Sequence, residues 1–446
     1  MADSLSPLPC DLLVFAETVV TQDADRRILS DAGVAMRDGM IVDVSDRNSL
    51  KAGFTAQEEL DLGPAMLMPG LVNGHTHLPM TLFRGVADDL PLMDWLEKHI
   101  WPVEMQLTPE LLELGAMVGC MEMIRTGTTA FLNGYFKEEA VGDAVERTGI
   151  RAVIGEGFFD FPSPHFPSPE HYRETVERLV DRYQNSSRVR VAVTPHAVFT
   201  VGADALVESH ALAQDMNIPW QIHLAESPAE TQASLKKHGK RPVELLESLG
   251  LLSEHVTLHH CVDLTDREIR VLADSGARVV HNPCSNLKLA SGVAPVQKLL
   301  DAGAVMGLGT DGAASNNQLN MFREMSTAAL LGKIAANDAS AVNAGDVLDM
   351  ATRGSAACLG WETLGRLEAG CPADMIALDL RQPNMMPMYA PTSHAVYAAT
   401  GMEVRLTIAE GRILYRDGEF LTLDAEKLRR EIRRAAKWIS AKKRKK

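Results

Sequence analysis

Two histidines one residue apart, His75 and His77 in PGLVNGHTHLPM, open the chemistry of this chain. In extended backbone the side chains at i and i+2 point the same way, so the pair can grip one cation together. A catalytic zinc-type centre needs three or four N/O ligands with a place left for water. His223 in PWQIHLAE and Asp311 in GLGTDG suit the remaining places. His223 shares a strand face with Gln221. Asp311 shares one with Val305, Gly307 and Gly309, glycines small enough to leave room for metal and substrate. Glu226 stands three residues after His223, where a carboxylate can move protons beside an activated water. A lone HxH is as often a surface accident as a site; the further candidates at matching positions weigh against the accident.

Those positions are matched only if the chain supplies a frame. Eight short apolar runs, MLMPGLVN, GTTAFLNG, IRAVIGEG, RVRVAVTPH, IPWQIHLAE, HVTLHHC, ARVVHNP and AVMGLGTDG, are each followed by a stretch that can be helical, such as Ala203–Met216 and Leu264–Ser275. That grammar predicts a parallel (β/α)8 barrel, whose chemistry sits at the C-terminal ends of its strands. His75 and His77, His196, His223, His259 and His260, His281 and Asp311 all fall at such ends. Run four, RVRVAVTPH, lacks lysine, so no carbamylated lysine can bridge two ions there, which favours one metal.

On either side of the barrel the pattern changes. VAMRDGMIVDV turns at Asp38-Gly39, and VRLTIAEGRILYRDGEF turns at Glu410-Gly411 and Asp417-Gly418. The expected architecture is α/β: a TIM-type barrel over 64–372, and a small composite β-sandwich domain from 1–63 and 373–446. The basic tail KLRREIRRAAKWISAKKRKK places Leu428, Ile432, Ala435 and Ile439 at helical spacing, which reads as a helix laid on the body.

Composition narrows the partners. A net charge of −15 over 446 residues disfavours a phosphate backbone, so no nucleic acid is expected. Six cysteines without CxxC pairing read as reduced thiols, and no run is long enough to span a bilayer. The expectation is a soluble cytoplasmic protein without a membrane partner; the sequence leaves a homo-oligomer open. GLGTDG fits GxGxxG, but an aspartate inside that loop would repel a pyrophosphate. The HxE and PCxxC of the nucleic-acid-editing deaminases are absent. Cys284 reads as structural, and the methionines as core filler.

The motifs together resemble the amidohydrolase superfamily, and within it the 5-methylthioadenosine/S-adenosylhomocysteine deaminase family, over nearly the whole chain. PGLVNGHTHLPMTLFRGVADDLPLMDWLEKHIWPVE (Pro69–Glu104), TPHAVFT, IHLAES, LHHC, HNPCSNLKLASG, GLGTDGAASNN and GRLEAGCPADMIALDL occur in the order such a member would have them. The resemblance implies a hydrolase that deaminates adenine C6 of thioether nucleosides, with one divalent metal ion per subunit, zinc foremost. It implies His75, His77, His223 and Asp311 as metal ligands, Glu226, His260 and Asp311 as catalytic residues, and Glu104, His196, Glu226 and Asp311 as substrate contacts. Strand alternation instead turns His259 inward, in conflict with His260. His281 reads as structural, and Asn133, Glu156 and Phe158 remain unassigned. Guanine, cytosine or s-triazine aminohydrolases share the metal set and stand as rivals, as does a non-catalytic scaffold on the same barrel.

Overall fold

The computed structural model describes residues 6–90, 96–161 and 171–443; residues 91–95 of the long first motif lie outside them. Its centre is a ring of parallel strands. Leu71–Thr76, Thr128–Tyr135 and Arg151–Phe158 pair in order, followed by a fourth position broken into Val189–Val191 and Thr194–Pro195. Trp220–Leu224, Val256–His260, Arg278–His281 and Val305–Leu308 form the second arc. A parallel bridge between Val193 and Trp220 joins the arcs on one side. On the other, Thr310 N and Asp311 N donate to the His75 carbonyl at 3.1 and 2.9 Å. Both faces of these strands are covered, so they are near-continuous apolar runs rather than alternating ones; all eight residues of Arg151–Phe158 are buried.

Helices return between the strands under clear local signals. Thr265 and Glu268 form a capping box at the start of Asp266–Ser275, two residues inside the expected Leu264 boundary. Ser227 caps Pro228–His238, with proline in its first turn. Ala203–Met216 spans the expected residues.

The second layer is one large sheet built from both ends of the chain. Its order runs Glu419–Phe420, Arg412–Arg416, Val404–Ala409, Met375–Asp379, Ala65–Pro69, Leu8–Val20, Ile28–Arg37, Met40–Asp46, and Phe54–Asp61 also pairs with Leu8–Val20. The anticipated turns are present, with left-handed φ at Asp38, Gly39, Glu410, Gly411, Asp417 and Gly418. One strand differs from expectation. Ala65–Pro69, half of the run read as the first barrel strand, pairs with Met375–Asp379 in the large sheet. The chain passes between layers at Gly70, where a Cβ would stand 2.1 Å from Thr129 Oγ1.

The tail forms the helix Ala425–Lys443, with Leu428, Ala435 and Ile439 buried. Ala435 and Ile439 join a cluster with Ile100, Val103 and Leu107, around the short helix Trp101–Glu104. No helix among the described residues is long and apolar enough to cross a membrane.

Candidate active site

The strand ends converge on one cleft. His77 Nδ1 donates to the Gly134 carbonyl, and His223 Nδ1 to the His196 carbonyl at 2.8 Å. With both Nδ1 protons committed, the two Nε2 lone pairs face each other across 3.3 Å. Asp311 Oδ1 lies 3.2 Å from His77 Nε2 and 3.4 Å from His75 Nε2. Neither ring nitrogen of His75 has a hydrogen-bond partner.

Acceptor atoms this close repel unless a cation stands among them. Ligands roughly 2.0–2.1 Å from a tetrahedral ion sit about 3.3 Å apart, which is the spacing present here. For His75 and His223 protonation is the poorer alternative, whereas for His77 burial is outweighed by the Asp311 carboxylate, which raises it. Burial drives His75 down to about 3, and burial followed by its imidazole neighbours holds His223 well below the usual histidine range. Neutral imidazoles are what a metal requires. The Asp311 carboxylate is oriented from behind, its Oδ2 accepting from Ser285 and Ser315 hydroxyls at 2.6 and 2.7 Å. His75, His77, His223 and Asp311 therefore fit a divalent cation of the N/O-binding class.

His259 and His260 both face inward, which resolves the conflict of alternation. His259 keeps the regular strand direction, stacks on His75 at 3.8 Å between centroids, and bonds Gln221 Oε1 at 2.8 Å. His260 leaves the pleat with φ 75°, so its ring also reaches the cleft. Asn286 Oδ1 accepts from His260 Nδ1 at 2.8 Å, freeing Nε2. A ring nitrogen of His260 lies within 4.8 Å of ligand atoms of His75 and Asp311. Ala225 and Asp311 break their strands likewise, at φ 50° and 60°.

Glu226 lines the same cleft. Its loop is held by Glu230, whose carboxylate accepts from Ala225 N and Glu226 N at 3.1 and 2.7 Å. Burial raises the Glu226 carboxyl above its ordinary value. Glu104, in the same lining, is buried and pushed up to about 7 by that burial, while its Oε1 accepts from the Tyr135 hydroxyl. His196 Nδ1 meets Thr200 Oγ1 at 2.9 Å, and its ring stands 4.6 Å from that of Phe159.

One other expectation is corrected, and the residues left unassigned find structural places. Gly307 and Gly309 do not open space for substrate: a Cβ on Gly309 would meet His75, and one on Gly307 would meet Cys358 and Ser355. Asn133 and Glu156 brace loops. The Asn133 amide links Leu78 N to Glu138, and Glu156 accepts from the backbone of Lys137 and Glu138. Phe158 packs on Tyr172. His281 is buried at its strand end and lies outside the cleft lining. Sequence reasoning missed Tyr135 and Phe159; each ends or follows a barrel strand, which is the signal that could have found them.

The chain belongs to the amidohydrolase family, whose profile matches residues 66–414. Within that family it is 50% identical over 431 residues to a 5-methylthioadenosine/S-adenosylhomocysteine deaminase of Nitratidesulfovibrio vulgaris, covering 97% of this chain and 98% of the relative. A 5'-deoxyadenosine deaminase of Methanosarcina mazei is 40% identical, with 97% and 99% covered. Among solved structures, a zinc-bound adenosine deaminase from Xanthomonas campestris superposes with a TM-score of 0.95 at 37% identity, covering 98% of this chain and all of that one.

Proposed function

We propose that this protein hydrolyses the exocyclic C6–N bond of adenine nucleosides, converting methylthioadenosine and S-adenosylhomocysteine to their inosine counterparts with release of ammonia. The observation that carries this reading is one cleft lined both by the convergent acceptors of His77, His223 and Asp311 and by the buried carboxylate of Glu104. A cluster that holds a cation suits hydrolysis; a separate carboxylate suits a diol, since it can accept from two hydroxyls at once.

In this reading His75, His77, His223 and Asp311 hold one divalent ion, zinc by donor type. Once bound, the ion supplies Lewis acidity that brings water's pKa toward neutrality. The rest falls to the chain. His260, with Nδ1 tied to Asn286, presents Nε2 to the attacking water and, with Asp311, takes its proton as oxygen adds to C6. Glu226, whose raised pKa suits an acid, gives a proton to N1 and is reprotonated from the C6 hydroxyl as the carbonyl forms, while the proton held by His260 and Asp311 passes to the amine, which leaves as ammonia. Glu104 accepts from the ribose hydroxyls, and His196 faces the nucleoside from the fourth strand end. The same reading divides the chain into a barrel over 64–372 and a composite domain of 1–63 and 373–446; the two-ended sheet supports the composite domain, to which Ala65–Pro69 also contributes a strand.

The test is ammonia release by metal-quantified enzyme from S-adenosylhomocysteine, methylthioadenosine, adenosine, guanine and cytosine. Release from the nucleosides, lost in Glu104→Ala, is expected. Release from a free base alone, indifferent to Glu104, would move the chain to another branch of its family.

A further inference from the structure

The lining that holds Glu104 also carries Trp101, Phe136 and Phe159, and the exposed Phe161 ring stands between Phe159 and Trp101 outside it. Phe159 lies 4.6 Å from His196, Phe161 lies 5.0 Å from Phe159, and Trp101 lies 5.9 Å from Phe161, each between ring centroids. Phe136 flanks Phe159 at 5.9 Å. Trp101 opens the short helix that ends in Glu104, so the strip and the proposed ribose carboxylate share one element. Leu96 and Phe199 add further apolar lining.

The lining carries Glu104, Glu226 and Asp311, and no lysine or arginine among the described residues. The segments 91–95 and 162–170 contain no lysine or arginine either. Lys237, near Phe199, is turned to the Phe199 carbonyl at 3.4 Å and to Asp160 at 3.8 Å. Lys137 is turned to the Leu107 carbonyl at 3.5 Å.

A nucleoside with C6 at the ligand cluster and its diol on Glu104 directs its 5' substituent onto this strip. An apolar substituent gains by covering aromatic surface. An amino-acid carboxylate at the 5' end would be desolvated against this strip with no lysine or arginine of the described lining to pair with it. We infer that the cleft aromatics Phe159 and Trp101 select nucleosides with a small uncharged 5' group, the methylthio and 5'-deoxy compounds, over S-adenosylhomocysteine. This rests on the deaminase reading above and ranks its substrates.

The experiment compares kcat/KM of the metal-loaded enzyme for methylthioadenosine, 5'-deoxyadenosine, adenosine and S-adenosylhomocysteine. Methylthioadenosine and 5'-deoxyadenosine are expected to exceed S-adenosylhomocysteine by about tenfold or more. Phe159→Ala should bring methylthioadenosine down toward adenosine, and Phe159→Arg should raise S-adenosylhomocysteine relative to methylthioadenosine. Wild-type enzyme that turns over adenosine yet treats S-adenosylhomocysteine and methylthioadenosine alike overturns the inference and leaves the deaminase reading standing. Silence on every nucleoside overturns both.

Discussion

The hydroxyl of Tyr135, at the end of the second barrel strand, donates to the carboxylate of Glu104, on the short helix beyond the first. Two elements that share no backbone ladder are thereby joined across the cleft. Tyr135→Phe keeps the ring and frees Glu104 to rotate. Loss of a hydrogen bond to an ionisable group corresponds to roughly tenfold, and we expect it in KM for ribosides with kcat little changed. A fall in kcat with constant KM would remove Tyr135 from the positioning of Glu104.

Metal content separates ligands from neighbours. His223→Ala should lose the bound divalent ion, because its Nε2 is one of the convergent acceptors, while His196→Ala should retain it. Chelation should abolish turnover in the native enzyme, and about one equivalent of zinc should restore it. Equal retention of metal in both variants would sink the assignment of His223.

Glu226 and its support can be tested together. Glu226→Gln should keep the metal and lower kcat by about 10²–10⁴, the range for a lost proton-transfer group. Glu230→Ala removes both acceptors that hold the Glu226 backbone, so kcat should fall to a lesser extent with Glu226 itself intact. Unimpaired deamination in Glu226→Gln would exclude the proton-transfer role.

The C-terminal helix braces the element that carries Glu104, the proposed ribose contact. Ala435 and Ile439 pack with Ile100 and Val103 next to Glu104. Ala435→Asp should raise KM for ribosides several-fold while metal content stays at the native level. An unchanged KM in a folded variant would show that the helix is dispensable for the wall.

Stability should fall on the alkaline side of neutrality. Burial raises Glu230 to about 8 and Glu324 to about 7, from an ordinary 4.5. Between those values the native chain keeps protons that the unfolded chain has released, so raising pH favours unfolding. Unfolded histidines have largely titrated by pH 6.5–7, which leaves the carboxyls to dominate above that. Thermal melts of the metal-loaded protein should therefore drop by a few degrees between pH 7 and 8.5. A flat or rising melting temperature would contradict the burial of these acids.

Much of this was legible in the sequence, for identifiable reasons. The barrel strands are buried on both faces and so are written as apolar runs, and the residues placed at their ends do lie there. His259 and His260 mark where legibility stopped. Alternation describes a pleat, and the left-handed turn at His260 is a property of the strand end that residue type does not encode. Ala65–Pro69 was misplaced because its burial pattern is that of a barrel strand; only its partner, Met375–Asp379, distinguishes it. Tyr135 and Phe159 were missed because an aromatic residue at a strand end reads equally well as core.

The position of Ala65–Pro69 also bears on synthesis of the chain. All five residues pair with Met375–Asp379, which leaves the ribosome about 300 residues later. At roughly 5–20 residues per second that interval is roughly 15–60 s. Throughout it, one edge of an apolar strand, Met66, Leu67 and Met68 at its centre, has no native neighbour. Such an edge is a template for pairing with another nascent chain. The same arrangement that ties the two termini into one sheet thus makes the final seventy or so residues the closing step of assembly, and spreads the interval of aggregation risk over the whole time in which the barrel strands emerge, until the sheet is sealed.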